Sequence, residues 1–98
     1  MGLNHETAPV EVREHFAVSE DKLGAMASKL TELTTIAESV VISTCNRMEV
    51  YVAAEDRQVG LEVLTKHLSK DHNEADMSHL YQKCGDEAKK HLFALVCG

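Results

Sequence analysis

Apolar residues recur along this chain in two periods, and the switches between them divide it into elements. Val40-Val41-Ile42 is a continuous apolar run of the kind a buried strand shows, while Glu49-Val50-Tyr51-Val52-Ala53 alternates as a half-buried strand does. The two runs predict strands over 38–44 and 48–54, with Ser43-Thr44-Cys45-Asn46-Arg47 at their junction. Upstream the spacing is helical. Leu23, Met26, Ala27, Leu30 and Leu33 share one face of a helix ending near Thr34. Ser19 suits its N-cap, Glu20 and Asp21 favour the positive end of its dipole, and Val18 and Leu23 stand at staple spacing.

Downstream, Asp56 predicts the cap of a helix over 57–70 that turns Leu61, Leu64 and Leu68 inward. Asp86 is expected to cap a final helix with Ala88, Leu92, Leu95 and Val96 on its inner face. Weaker signals fill the rest. Met1–Asn4 reads as the stub of a strand, short enough to suggest that upstream residues were removed. Thr7 and Pro9 suit the start of a short helix through Phe16, since proline is tolerated in a first turn. A helical turn is expected over 74–79 and an extended piece at Leu80-Tyr81-Gln82. The resulting order is strand, helix, strand, strand, helix, weak strand, helix. It predicts an α+β fold, a ferredoxin-like sandwich whose antiparallel sheet carries helices on one face.

Composition narrows the picture. The 98 residues suit one domain with a modest core, and no linker or repeat divides them. No apolar run approaches the roughly 18 residues of a membrane span. The N-terminus lacks the basic-then-apolar signature of a signal peptide, so a cytoplasmic protein without membrane contact is expected. Three cysteines, Cys45, Cys84 and Cys97, without a CxxC pair argue against a disulfide framework or a sulfur-rich zinc site. The net charge of −6 opposes general nucleic-acid binding, and the few aromatics supply no stacking platform for RNA.

The chemistry concentrates at the strand junction. Only the thiolate of a cysteine is nucleophilic, and a neighbouring cation raises its fraction. Arg47 stands two residues from Cys45 and can act so if the turn folds it back. Thr44 and Asn46 can orient a bound carbonyl. A buried structural cysteine is the competing reading. His91 falls on the inner phase of the last helix, either as a core histidine bonded to a carbonyl or, if it reaches the Cys45 end of the sheet, as a proton carrier. His5 follows the first strand and can line the same sheet end, though a loop histidine is commonly just solvated. Histidines 15, 67, 72 and 79 show no metal-ligand spacing. Cys84 and Cys97 read as structural, Lys89-Lys90 as a solvated face, and no glycine-rich phosphate loop occurs.

Several segments together resemble the N-terminal catalytic domain of glutamyl-tRNA reductases. Gly2-Leu3-Asn4-His5-Glu6-Thr7-Ala8-Pro9-Val10 is similar to that family's opening G-x-N-H-K-T-A-P-V, with Val12-Arg13-Glu14 and Phe16 following. Ser43–Arg47 with Glu49-Val50-Tyr51 resembles its S-T-C-N-R-T-E-V-Y, and Tyr81, Gly85, Glu87-Ala88 and His91-Leu92-Phe93 its closing Y…G-x-E-A-x-x-H-L-F. The matches span the chain in order. Glu6, Met48 and Ala94 depart from the usual lysine, threonine and arginine, and the family continues with L-D-S where this chain has Cys97-Gly98.

The resemblance implies a ferredoxin-like catalytic domain, here as a fragment. Cys45 is then the nucleophile toward the glutamyl-tRNA ester and His91 its catalytic partner, with Thr44, Asn46 and Arg47 binding substrate. A glutamyl thioester results, which NADPH, held by a nucleotide domain that is not in this sequence, reduces to glutamate-1-semialdehyde for tetrapyrrole synthesis. A homodimer and the downstream aminomutase are the further partners it implies for the full-length enzyme. A thiol-based redox sensor and a ferredoxin-like ligand-binding module are the rival readings of the same residues.

Overall fold

The structure is a computed structural model that describes residues 1–33 and 36–97, with the backbone alone for 93–97. The strands are β1 (Gly2–Asn4), β2 (Glu38–Ser43) and β3 (Arg47–Ala53). The helices are α1 (Val10–Phe16), α2 (Glu20–Thr31), α3 (Arg57–Ser69), α4 (Glu74–Met77) and α5 (Gly85–Cys97). The expectations for Leu95 and Val96, Ala94 and the Cys97 thiol fall outside the described side chains.

β3 is the central strand, in the order β1-β3-β2, and both neighbours run antiparallel to it. β1 and β2 are therefore parallel with β3 between them, which is the split βαβ arrangement of ferredoxin-like folds. The expected weak strand shrinks to one residue. Tyr81 bridges Gly2 on the free edge of β1 through two backbone hydrogen bonds, Gly2 N to Tyr81 O at 3.0 Å and Tyr81 N to Gly2 O at 2.7 Å. The α+β class and the antiparallel sheet are as expected.

The apolar phase of β3 builds the core. Met48 and Val50 pack with Leu3 of β1, Phe16 of α1, Leu30 of α2, and Leu64 and Leu68 of α3. Each such side chain contributes about 1.5–3 kcal/mol by leaving water. Leu23, Met26 and Ala27 lie on the inner side of α2, as their spacing predicts. α2 packs on β2, while α1 and α3 pack on β3. Asp56 caps α3 by accepting from Val59 N at 3.1 Å, and Asn73 caps α4 by accepting from Asp76 N at 2.8 Å. Ser19 holds the N-cap position of α2, but its side chain makes no cap hydrogen bond.

Two expectations need correction. β2 is an edge strand rather than a buried one, and Val40 stays 46% exposed. α5 begins at Gly85, so Asp86 stands in the first turn instead of capping it. Gly85 adopts φ +59, a left-handed conformation that glycine takes without the clash a Cβ brings.

Candidate active site

Successive residues of a strand point to opposite faces. With Met48 and Val50 in the core, Arg47, Glu49 and Tyr51 must project from the other side of the sheet. α5 crosses that side and brings His91 against Glu49. Helices α1 to α3 thus occupy one face and α5 covers the second, which corrects the expectation of helices on one face alone: the polar phase of β3 is buried too, by α5.

Glu49 is the centre of this second face. Its side chain is 1% exposed, and burying a carboxylate that deeply is costly unless it is paired. Three neighbours answer that demand. His91 Nε2 lies 2.6 Å from Glu49 Oε1, and the Tyr81 hydroxyl donates to the same oxygen. Arg47 Nη1 stands 3.6 Å from Oε2, an ion pair just beyond hydrogen-bond reach. Gly2 provides space: a Cβ there would sit 2.6 Å from Glu49 Cγ and 2.9 Å from the Met48 carbonyl oxygen. Glycine is needed at position 2 because the Glu49 side chain and the Met48 carbonyl pass so close to it.

The field of that carboxylate reaches two phenols. Burial first, then the hydrogen bond and charge of Glu49, push Tyr81 above the ordinary tyrosine range. Burial and the charge of Glu49 do the same to Tyr51, whose hydroxyl is buried without a hydrogen-bond partner. Both phenols stay protonated donors. Beside them opens a groove of about 540 Å³, lined by Tyr51 and Ala53 of β3, Arg57 of α3, and Cys84, Ala88 and Leu92 from the α5 side.

The turn between β2 and β3 holds the other candidates. Thr44 clasps it: its N donates to Arg47 O at 2.8 Å, and its Oγ1 accepts from Asn46 N at 3.2 Å and Arg47 N at 3.3 Å. The hydroxyl lone pairs are spent on the backbone, while the O–H proton is left for another acceptor. Cys45 and Asn46 sit exposed at the tip, so Cys45 is not a buried structural thiol. Asn4 pairs with Arg47 across β1 and β3, which puts the Asn4-His5 segment at the same sheet end. His5 itself is solvated, 3.9 Å from Glu6.

The structure thus joins Arg47 and His91 through a shared carboxylate, and joins Thr44, Asn46 and Arg47 through the turn. Glu49 pairs with Ile42, one step in from the Ser43–Met48 pair that precedes the turn. His91 therefore stands over the turn half of the sheet. The residue that sequence reasoning missed is Glu49, which alternation assigns to solvent. The available signal was its place two residues after Arg47 inside the matched motif.

No dinucleotide site is built by the described residues. The sheet has no adjacent parallel strands whose carboxyl ends make a nucleotide crevice, and no helix opens on a glycine-rich turn. Among the described residues no cluster of His, Cys, Asp and Glu has the geometry to hold a metal ion, and no helix is long and apolar enough to cross a membrane.

These features define an α+β domain with an exposed thiol on a hairpin tip and a buried carboxylate–histidine pair on the adjoining face. The chain belongs to the family described as glutamyl-tRNAGlu reductase, N-terminal domain, whose model matches residues 1–98. It is 42% identical over 99 residues to the glutamyl-tRNA reductase of Syntrophotalea carbinolica, covering 98% of this chain and 22% of that protein. The Magnetococcus marinus enzyme is 39% identical over 98% of the chain and 24% of its own length. The Akkermansia muciniphila enzyme is 40% identical over the whole chain and 29% of its own length. The chain thus spans between about a fifth and a third of these relatives.

Proposed function

We propose that this domain carries out the acyl-transfer half of a glutamyl-tRNA reductase reaction, with Cys45 as the nucleophile. The observation that carries the reading is the exposure of Cys45 on a hairpin tip, between the Thr44 clasp and Arg47, in a chain matched throughout to that family. The Cys45 thiolate adds to the carbonyl carbon of the glutamyl ester. The tetrahedral adduct then expels the ribose oxygen, which leaves with a proton as free tRNA. A glutamyl thioester remains on Sγ. A thioester accepts hydride more readily than an ester or carboxylate, which is the use of covalent catalysis here.

Arg47 is the candidate clamp for the substrate side-chain carboxylate, since a guanidinium can grip a carboxylate with two parallel bonds. Thr44 Oγ–H and the Asn46 amide are the candidates for orienting the ester carbonyl, and His91 is the candidate for carrying the proton. Reduction by NADPH to glutamate-1-semialdehyde is assigned to parts of the enzyme outside these residues, as the described residues build no dinucleotide site. Dimerisation and hand-over to an aminomutase belong to the same proposal for the longer enzyme, as does a cytoplasmic location.

The test is incubation with glutamyl-tRNA followed by intact mass and peptide mapping. A hydroxylamine-labile glutamyl adduct on Cys45 is the expected result. Oxidation of Cys45 without any dependence on aminoacyl-tRNA would instead indicate a redox sensor, and no modification at all a ligand-binding module.

A further inference from the structure

A buried carboxylate with two donors on one oxygen determines which proton each donor carries. Glu49 is acceptor-only when ionised, and the Arg47 guanidinium 3.6 Å from Oε2 supports the ionised form. Oε1 receives the Tyr81 O–H, and His91 Nε2 lies 2.6 Å from it. An unprotonated Nε2 at that distance would oppose its lone pair to the carboxylate. Nε2 must therefore bear hydrogen. The separation of 3.3 Å between the Tyr81 hydroxyl and His91 Nε2 is then the spacing of two donors converging on one acceptor. The ring's remaining lone pair lies on Nδ1.

We infer that Glu49 is a positioning residue that fixes His91 as the Nε2–H tautomer, leaving Nδ1 as the ring's only proton acceptor. The inference rests on the reading in which His91 moves a proton during acyl transfer. Three features serve this arrangement and have no other evident use. Gly2 lacks the Cβ that would collide with Glu49, Tyr81 is anchored to β1 by its own bridge, and α5 delivers the imidazole to a face with no part in the apolar core. A carboxylate that orients an imidazole and stabilises its cation is a general device of proton-transfer sites. Here it also accounts for a charge buried in a small domain, where an apolar residue would pack at lower cost.

The experiment is long-range proton–nitrogen correlation of the His91 ring in the chain, at a pH high enough to leave the ring one proton. It is paired with the rate of glutamyl transfer to Cys45. The unmodified chain should show hydrogen on Nε2. Glu49→Gln presents either an amide oxygen or an amide N–H to the ring, so both tautomers should appear and transfer should fall about 100-fold, within the usual reach of general acid–base catalysis. Tyr81→Phe removes one donor but leaves the Glu49–His91 bond, so the Nε2–H tautomer should persist. Retention of a single Nε2–H tautomer in Glu49→Gln would overturn the inference. If that variant does not fold, Tyr81→Phe decides, because a switched tautomer there would show that Tyr81 and not Glu49 sets the proton. Absence of any adduct in the unmodified chain would defeat the acyl-transfer reading alone, and the ring spectra would still decide the role of Glu49.

Discussion

The two faces of β3 differ as sharply as a core and a site can within one strand. On one, Met48 and Val50 meet leucines from three other elements. On the other, one residue along, Glu49 is just as buried but is surrounded by a guanidinium, an imidazole and two phenols. The first face is held by area removed from water, which is forgiving of direction. The second is held by hydrogen bonds of fixed direction around a charge, which are not. A small domain can keep a charged constellation in place because the stability comes from the reverse side of the same strand.

Substitutions on the two faces, and at the tip between them, should separate these roles. Cys45→Ser should abolish the glutamyl adduct while leaving the fold intact, because only sulfur forms the thioester and the tip is exposed. Intact mass after incubation with glutamyl-tRNA and the urea midpoint read the two halves of that statement. Leu64→Ala on the apolar face should cost about 2–5 kcal/mol of stability through the cavity it leaves. Urea denaturation measures it, and a loss below that range would mean the core collapses around the gap.

Arg47→Lys acts on the other face. It should slow glutamyl transfer about 10- to 100-fold by losing one charged hydrogen bond, with little change in the alkylation rate of Cys45 by iodoacetamide. Full rescue by lysine would make Arg47 a thiol activator instead, and efficient transfer from glutaminyl-tRNA would remove its clamp role. Gly2→Ala should destabilise by about 1–3 kcal/mol, because the new methyl meets both Glu49 and a backbone carbonyl.

The smallest effect lies away from both faces. His72 stacks on Phe16 with ring centroids 3.9 Å apart, and burial holds its pKa below the ordinary histidine value despite the opposing pull of Asp71 and Asp76. Below about 6.5 the unfolded chain therefore binds a proton that the folded chain refuses, and stability falls as the pH drops through that value. His72→Phe keeps the stack and removes the proton, so its thermal midpoint should fall less between neutral and mildly acid pH.

Much of this architecture was legible from spacing. The inner faces of α2 and α3, the Asp56 cap and the hairpin around Cys45 follow from local rules, because each depends on neighbours within a few residues. The edge position of β2 did not, since an apolar run looks the same whether or not a helix later covers it. Glu49 was the deeper miss. Alternation assigns a strand's polar phase to water, and only the arrival of Tyr81 and His91, 32 and 42 residues downstream, buries it. The fate of Asp86 turned on the single left-handed residue before it, which spacing does not report.

The clasp of Thr44 on the hairpin has a consequence of parity. Its bonds to Asn46 and Arg47 count the residues between the strands, and that count decides which members of β3 are odd and which even relative to β2. Adding or removing one residue there would do more than loosen a loop. It would exchange the two phases of β3, carrying Glu49 toward the leucines and Met48 toward the imidazole. The segment that carries the reactive thiol is thus also the ruler of the sheet.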